Sequence, residues 1–104
     1  MPEQRDLDTQ VIEVVRLLQP GEVVSYGDIA ADAGFPRASR QVGRLLAVTD
    51  GLPWWRVVTV QGRLVPGNER HQAELLRAEG VLIERGRVKQ APLGRFSPTS
   101  RERL

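Results

Sequence analysis

The chain has 104 residues, 40% of them hydrophobic and 27% charged, which suits one ordinary globular domain with a core too modest for a large two-layer enzyme. It contains no cysteine, which excludes disulfides, thiolate metal ligands and a cysteine nucleophile together; its apolar runs are too short to span a bilayer, and no basic segment followed by an apolar stretch opens it, so no secretion is expected and a cytoplasmic home fits. The net charge of +2 hides a segregation: residues 36–63 hold Arg37, Arg40, Arg44, Arg56 and Arg63 against Asp50 alone, whereas residues 1–35 hold two arginines against seven acids.

The elements follow in chain order. Leu7, Val11, Val14, Val15 and Leu18 fall at helical spacing on one stripe, predicting an amphipathic helix over 7–18 that ends at Pro20-Gly21. Val23-Val24 reads as a short extended link. Ser25, with Asp28 three residues on, forms a capping box for a helix from Tyr26 to Ala33, closed by Gly34. Pro36 opens a third helix over 36–48, with Ala38, Val42, Leu45 and Leu46 on one face and Arg37, Arg40, Gln41 and Arg44 on the other. Arg56–Val60 and Arg63–Val65 read as strands of a hairpin around Gln61-Gly62. Residues 68–79 form a fourth helix stopped by Gly80, and Val81–Glu84 with Arg87–Lys89 make a second small hairpin around Gly86. Residues 91–104 carry proline, serine, threonine and arginine and are expected to be a basic, flexible tail on a domain of residues 1–90. The fold class is therefore mainly α with small β hairpins, a helix-turn-helix or winged-helix-like DNA-binding domain.

Residues 25–48 carry the clearest functional signal. Two short helices around a glycine-containing turn present the second helix to a duplex, and its outer face is arginine-rich. Guanidinium suits bidentate phosphate contact and stacking on bases. Gly43 lets the backbone approach DNA closely. An αα-hairpin inside a bundle uses the same geometry, but the all-polar outer face argues against burial. Trp54 and Trp55 follow Pro53; in an extended chain they point opposite ways, so one reading places one in the core and the other over the hairpin. His71 is the sole histidine, so no metal-ligand cluster exists, and no cofactor is expected.

Four segments, in this order and spacing, resemble the C-terminal domain of the O6-alkylguanine-DNA alkyltransferases: Val23-Val24-Ser25-Tyr26-Gly27-Asp28-Ile29-Ala30, Ala38-Ser39-Arg40-Gln41-Val42-Gly43, Pro53-Trp54-Trp55-Arg56-Val57-Val58 and Leu75-Leu76-Arg77-Ala78-Glu79-Gly80. The likeness covers roughly residues 8–90. The alkyltransferases carry Pro-Cys-His-Arg where this chain has Pro53-Trp54-Trp55-Arg56. A thiolate is soft and forms near neutral pH, so it accepts an alkyl group; indole offers no comparable nucleophile. The resemblance therefore implies the non-catalytic, alkyltransferase-like branch and no enzyme activity. That branch usually keeps the histidine, so Trp55 is a second departure.

The resemblance implies a role for each matching residue. The helix over 36–48 enters the minor groove, Arg40 fills the gap left by the extruded base, and Tyr26 promotes rotation of the nucleotide and borders the pocket. Arg37, Ala38, Gln41, Gly43 and Arg44 contact the duplex. Pro53, Trp54 and Glu79 frame the lesion pocket, backbone groups around Val57 and Val58 read the guanine edge, and Arg70 (or Arg63) stacks on the base. The implied partner is double-stranded DNA containing O6-alkylguanine, bound by a monomer, with the complex flagging damage for nucleotide excision repair. The family's N-terminal domain has no counterpart, so the DNA-binding domain alone is expected. A general helix-turn-helix DNA binder with Trp54 in its core remains the alternative. A glycosylase-type enzyme requires an acid paired with a base, and Asp28, Asp32 and Glu79 are the acids available near the proposed pocket.

Overall fold

A computed structural model describes residues 2–98, with side chains from residue 7 onward. The chain runs α1 (Pro2–Arg16), β1 (Glu22–Ser25), α2 (Tyr26–Asp32), α3 (Ser39–Val48), a 3-10 turn (Trp54–Arg56), β2 (Val57–Val58), α4 (Glu69–Ala78), β3 (Leu82–Glu84), β4 (Arg87–Gln90) and β5 (Leu93–Gly94). The stripe of α1 forms as its spacing requires: Leu7, Val11, Val15 and Leu18 are buried, and Val14 sits half-buried at their margin.

A small parallel sheet, ordered β2-β1-β5, divides the interior in two. Successive side chains of a strand point to opposite faces. Val24 and Val57 accordingly enter one core with α1, α2 and α3, and Val23 and Val58 enter the other with Leu64, Ala73, Leu76, Val81, Ile83 and Val88. This arrangement corrects two expectations. Val23-Val24 is no mere link; it belongs to the central strand. Val57-Val58 does not ladder with residues 63–65 in a hairpin but pairs in parallel with Val24 and Ser25. Two adjacent valines that are both fully buried suit a strand covered on both faces. The turn at Gln61-Gly62 does form, with the Gly62 N–H donating to the Thr59 carbonyl at 2.8 Å. Beyond it Arg63 bridges to Arg87.

The β3–β4 hairpin forms as expected. Glu84 pairs with Arg87, leaving Arg85-Gly86 as a two-residue loop. Both loop residues have positive φ, 54° and 75°, the backbone that matches the twist of the flanking strands. Residues 91–98 depart from the expected tail. Ala91 and Ser97 are buried, and Leu93 and Gly94 pair with Glu22 and Val23 of β1. Gly94 fits because the strands approach closely: a Cβ there would lie 2.5 Å from the Val23 carbonyl oxygen. Proline and serine content suggested a tail, but backbone pairing to a buried strand outweighs composition. Residues 99–104 lie outside those described.

Candidate nucleic-acid interface

The site is built on the α2–turn–α3 unit. Ser25 ends β1 and caps α2: its Oγ accepts from the Asp28 N–H at 3.0 Å, and the Asp28 carboxylate accepts from the Ser25 N–H at 2.9 Å. Asp28 also takes two guanidinium bonds from Arg95, at 2.8 and 2.9 Å. The Arg95 bond holds the Asp28 carboxyl below its ordinary range, with help from Ser25 and against partial burial. Capping and ion pairing thus fix the start of α2, where Tyr26 is the first helical residue.

Helix α3 begins at Ser39 rather than at residue 36. Residues 36–38 form the turn, because Ala38 is a buried wedge whose N–H donates to the Phe35 carbonyl at 2.9 Å. Arg37 therefore sits on the turn and not on the helix, and Ala38 packs into the core with Val42 and Leu46, as its apolar face requires, so its side chain is not free for the duplex contact that the resemblance implied. Val42 and Leu46 anchor the helix from below. Arg40, Gln41 and Arg44 are exposed with Arg37, and among the described residues none of them has an ion pair or side-chain hydrogen bond. No side chain caps α3, so the partial positive charge of its first turn adds to the arginines.

Gly43 lies on the flank of α3 facing Tyr26. A Cβ there would stand 3.7 Å from the tyrosine ring, in ordinary van der Waals contact, so the ring packs closely beside the helix with room for no more than a small side chain. Half-burial raises the Tyr26 phenol pKa, keeping it a neutral hydroxyl. Beside it opens a cleft of about 660 Å³, lined by Tyr26, Gly43, Leu46, Ala47, Thr49, Asp50, Gly51, Leu52, Trp54, Trp55, Val65 and Asn68.

Trp54 is half-buried and lines this cleft; it neither seals the cleft nor vanishes into the core. The 3-10 turn sends the two tryptophans to different cores, Trp54 toward the α1–α3 side and Trp55 toward the α4 side. Their rings meet edge to face, 6.2 Å apart at 90°. His71 approaches Trp54 at 6.0 Å.

Beneath the tryptophans lies a polar clamp. Glu79 accepts from Trp55 Nε1 at 3.0 Å, from the Gly21 N–H at 2.8 Å and from two Arg56 nitrogens at 3.0 and 2.7 Å. Arg56 reaches on to the Leu18 carbonyl and lies 5.1 Å over the Trp55 ring. Burial alone would raise the Glu79 pKa, but the bonds from Arg56, Gly21 and Trp55 outweigh it and hold the carboxyl below the usual range. Glu79 therefore does not line the cleft; it ties α1, the Gly21 turn, the 3-10 turn and α4 together. Trp55 thus takes part in the clamp through its indole N–H.

Other expected pocket residues fall outside the cleft lining. Pro53 caps the 3-10 turn, and Arg70 is exposed on the first turn of α4; the Val57 and Val58 side chains are buried in the two cores, which leaves only their backbone for the base-reading role the resemblance implied. Asn68 and Val65 occupy the wall expected of Arg70. Sequence reasoning also missed Gln72. It is fully buried, donates to the Trp55 carbonyl at 3.0 Å and weakly to that of Val57 at 3.4 Å, and accepts from the Val65 N–H at 2.7 Å. A glutamine on the apolar face of α4, next to Ala73 and four residues before Leu76, was the available signal.

Residues 6–81 match the sequence model of the 6-O-methylguanine DNA methyltransferase DNA-binding domain. The chain belongs to that family. Among methyltransferase-family relatives, a DNA base-flipping protein of Escherichia coli is 39% identical over 88 residues, which cover 80% of this chain and 68% of that one. Alkyltransferase-like protein 1 of Schizosaccharomyces pombe is 35% identical over 82 residues, covering 72% and 76%. The fold is similar to that of S. pombe Atl1 in complex with damaged DNA containing O6-carboxymethylguanine, with a TM-score of 0.70 at 31% identity, covering 77% of this chain and 81% of that one. Mycobacterium tuberculosis OGT in complex with DNA aligns at a TM-score of 0.63 and 31% identity, over 71% of this chain and 49% of that one. The matched span includes Pro53-Trp54-Trp55-Arg56, and the chain has no cysteine.

Proposed function

We propose that this protein recognises O6-alkylguanine in duplex DNA, rotates the damaged nucleotide into the cleft beside Trp54 and holds it there without covalent change. The observation that carries this reading is the cleft itself: an open cavity of about 660 Å³ between Tyr26 and Trp54, adjoining a helix whose outward arginines have no ion pair or side-chain hydrogen bond among the described residues. Extrusion costs a few kcal/mol of unstacking and less at a weakened pair. Stacking against aromatic surface returns about 1–3 kcal/mol per base. Arg40 enters the stack from the minor groove, while Arg37 and Arg44 neutralise flanking phosphates.

The acids considered for chemistry support a binding role. Asp28 is bound to Arg95 and Glu79 to Arg56, and neither lines the cleft; the acid among its lining residues is Asp50. The protein acts as a monomer in the cytoplasm, and its complex marks the lesion for nucleotide excision repair. The test is titration of two duplexes that differ by one O6-methylguanine, read by tryptophan fluorescence. Tighter binding and strong quenching by the damaged duplex are expected, with no alkyl group or free base released from DNA. Equal affinity for both duplexes rejects lesion recognition.

A further inference from the structure

A second basic surface is centred on the β3–β4 hairpin, beyond the residues that match the family, which end at 81. On the β3–β4 hairpin, Arg85, Arg87 and Lys89 are all exposed and flank a shallow groove of about 810 Å³, whose remaining wall is Glu84. Arg63 comes from the Gln61-Gly62 turn and pairs across an antiparallel bridge with Arg87. Like charges set directly opposite on neighbouring strands repel. No acid is ion-paired with Arg63, Arg85, Arg87 or Lys89 among the described residues, whereas Arg56 and Arg95 each have one. Four cations are thus held together, two of them face to face, with Glu84 as the sole acid of the groove.

The spacing selects the ligand. Arg87 and Lys89 are two positions apart on one strand face, about 6–7 Å, and Arg63 is one strand away, about 5 Å. A row of cations at this interval suits a chain of phosphates better than a single anion. Residues 82–90 include no aromatic side chain, so the hairpin offers no platform for unstacked bases and favours backbone over base contact.

We propose that this hairpin, with Arg63, is a second contact surface for the phosphate backbone of duplex DNA, adding affinity without lesion discrimination. The proposal rests on the DNA-binding reading above. The test uses the full chain carrying Arg85→Asn, Arg87→Thr and Lys89→Thr. The first change creates an Asn-Gly loop, which suits the positive φ at both positions, so it removes charge without loosening the turn; Arg85→Asn alone serves as the single-charge control. Affinity for undamaged and O6-methylguanine duplexes is measured across a salt series. Each lost phosphate contact lowers the slope of log affinity against log salt by about 0.9. From two to three contacts, the wild type should lose roughly ten- to fortyfold more affinity than the triple variant between about 50 and 200 mM salt. The ratio of damaged to undamaged affinity should stay constant. A wild type that binds duplex with a slope the variant shares overturns this proposal and leaves the lesion reading standing. A variant that loses only the lesion preference also overturns it. A wild type that binds neither duplex removes the DNA-binding reading, and this one with it.

Discussion

Arginine is used in two opposite ways on either side of the cleft. On the α3 side, Arg37, Arg40 and Arg44 extend into solvent with no partner among the described residues. On the far side, Arg56 is 12% exposed, and its guanidinium is shared between Glu79, at 13%, and the Leu18 carbonyl. The difference is one of solvation. A desolvated guanidinium must have its hydrogen bonds met within the fold, and meeting them makes it a structural tie. A solvated one keeps its donors free for a ligand that arrives later. One residue type thus builds the pocket floor and arms the pocket rim.

The largest expected effect breaks the tie. Glu79→Ala leaves Arg56 without its carboxylate and should cost about 3 kcal/mol, lowering Tm by roughly 12 to 24 °C in a domain of this size. A thermal melt within a few degrees of wild type would show that the clamp is not structural. Next comes the rim. Arg40→Ala should weaken binding to an O6-methylguanine duplex about tenfold or more, from the loss of charge-assisted contacts worth about 1.5–3 kcal/mol, while leaving Tm unchanged. Fluorescence anisotropy beside a melt separates this from the clamp variant.

Acid sharpens the same contrast. Asp28 and Glu79 both have carboxyls lowered by their partners in the folded state. The stability they add is present above the ordinary carboxylate range, near pH 4, and is lost as pH falls through their depressed folded values. Tm should therefore drop below about pH 4, and Glu79→Gln should flatten that drop. The smallest effect belongs to Arg44→Gln. It should reduce affinity for damaged and undamaged duplexes alike by a few fold, with the salt slope lower by about 0.9. An Arg44 effect confined to damaged DNA would move this residue from phosphate contact to lesion reading.

The helices were legible because their signals are local. The Ser25–Asp28 capping box, the valine stripe of α1 and the Arg85-Gly86 loop each lie within a few residues of the feature they specify. The small sheet was not. Val23-Val24 and Val57-Val58 are separated by more than thirty residues, and nothing in either pair announces a parallel partner. The segment at 91–98 was misjudged for the same reason, since Leu93 and Gly94 are ordered by pairing with a strand near the other end of the chain. At the site, Tyr26 and Trp54 line one cleft, and Gly43, expected against the duplex, lines it with them. Arg70 was expected in the cleft wall that Val65 and Asn68 line, and the start of α4 decides that placement. Glu79 was visible as a motif residue, but its four hydrogen bonds depend on three separate stretches of chain.

The pairing of β5 with β1 gives the last described residues influence over the start of α2. Arg95 lies one residue past β5, and its guanidinium is fastened to the acid that caps α2. A protease cut between 92 and 95 would therefore do more than trim an edge. It would strip β1 of one neighbour and free Asp28 at a stroke, loosening the frame from which Tyr26 is aimed.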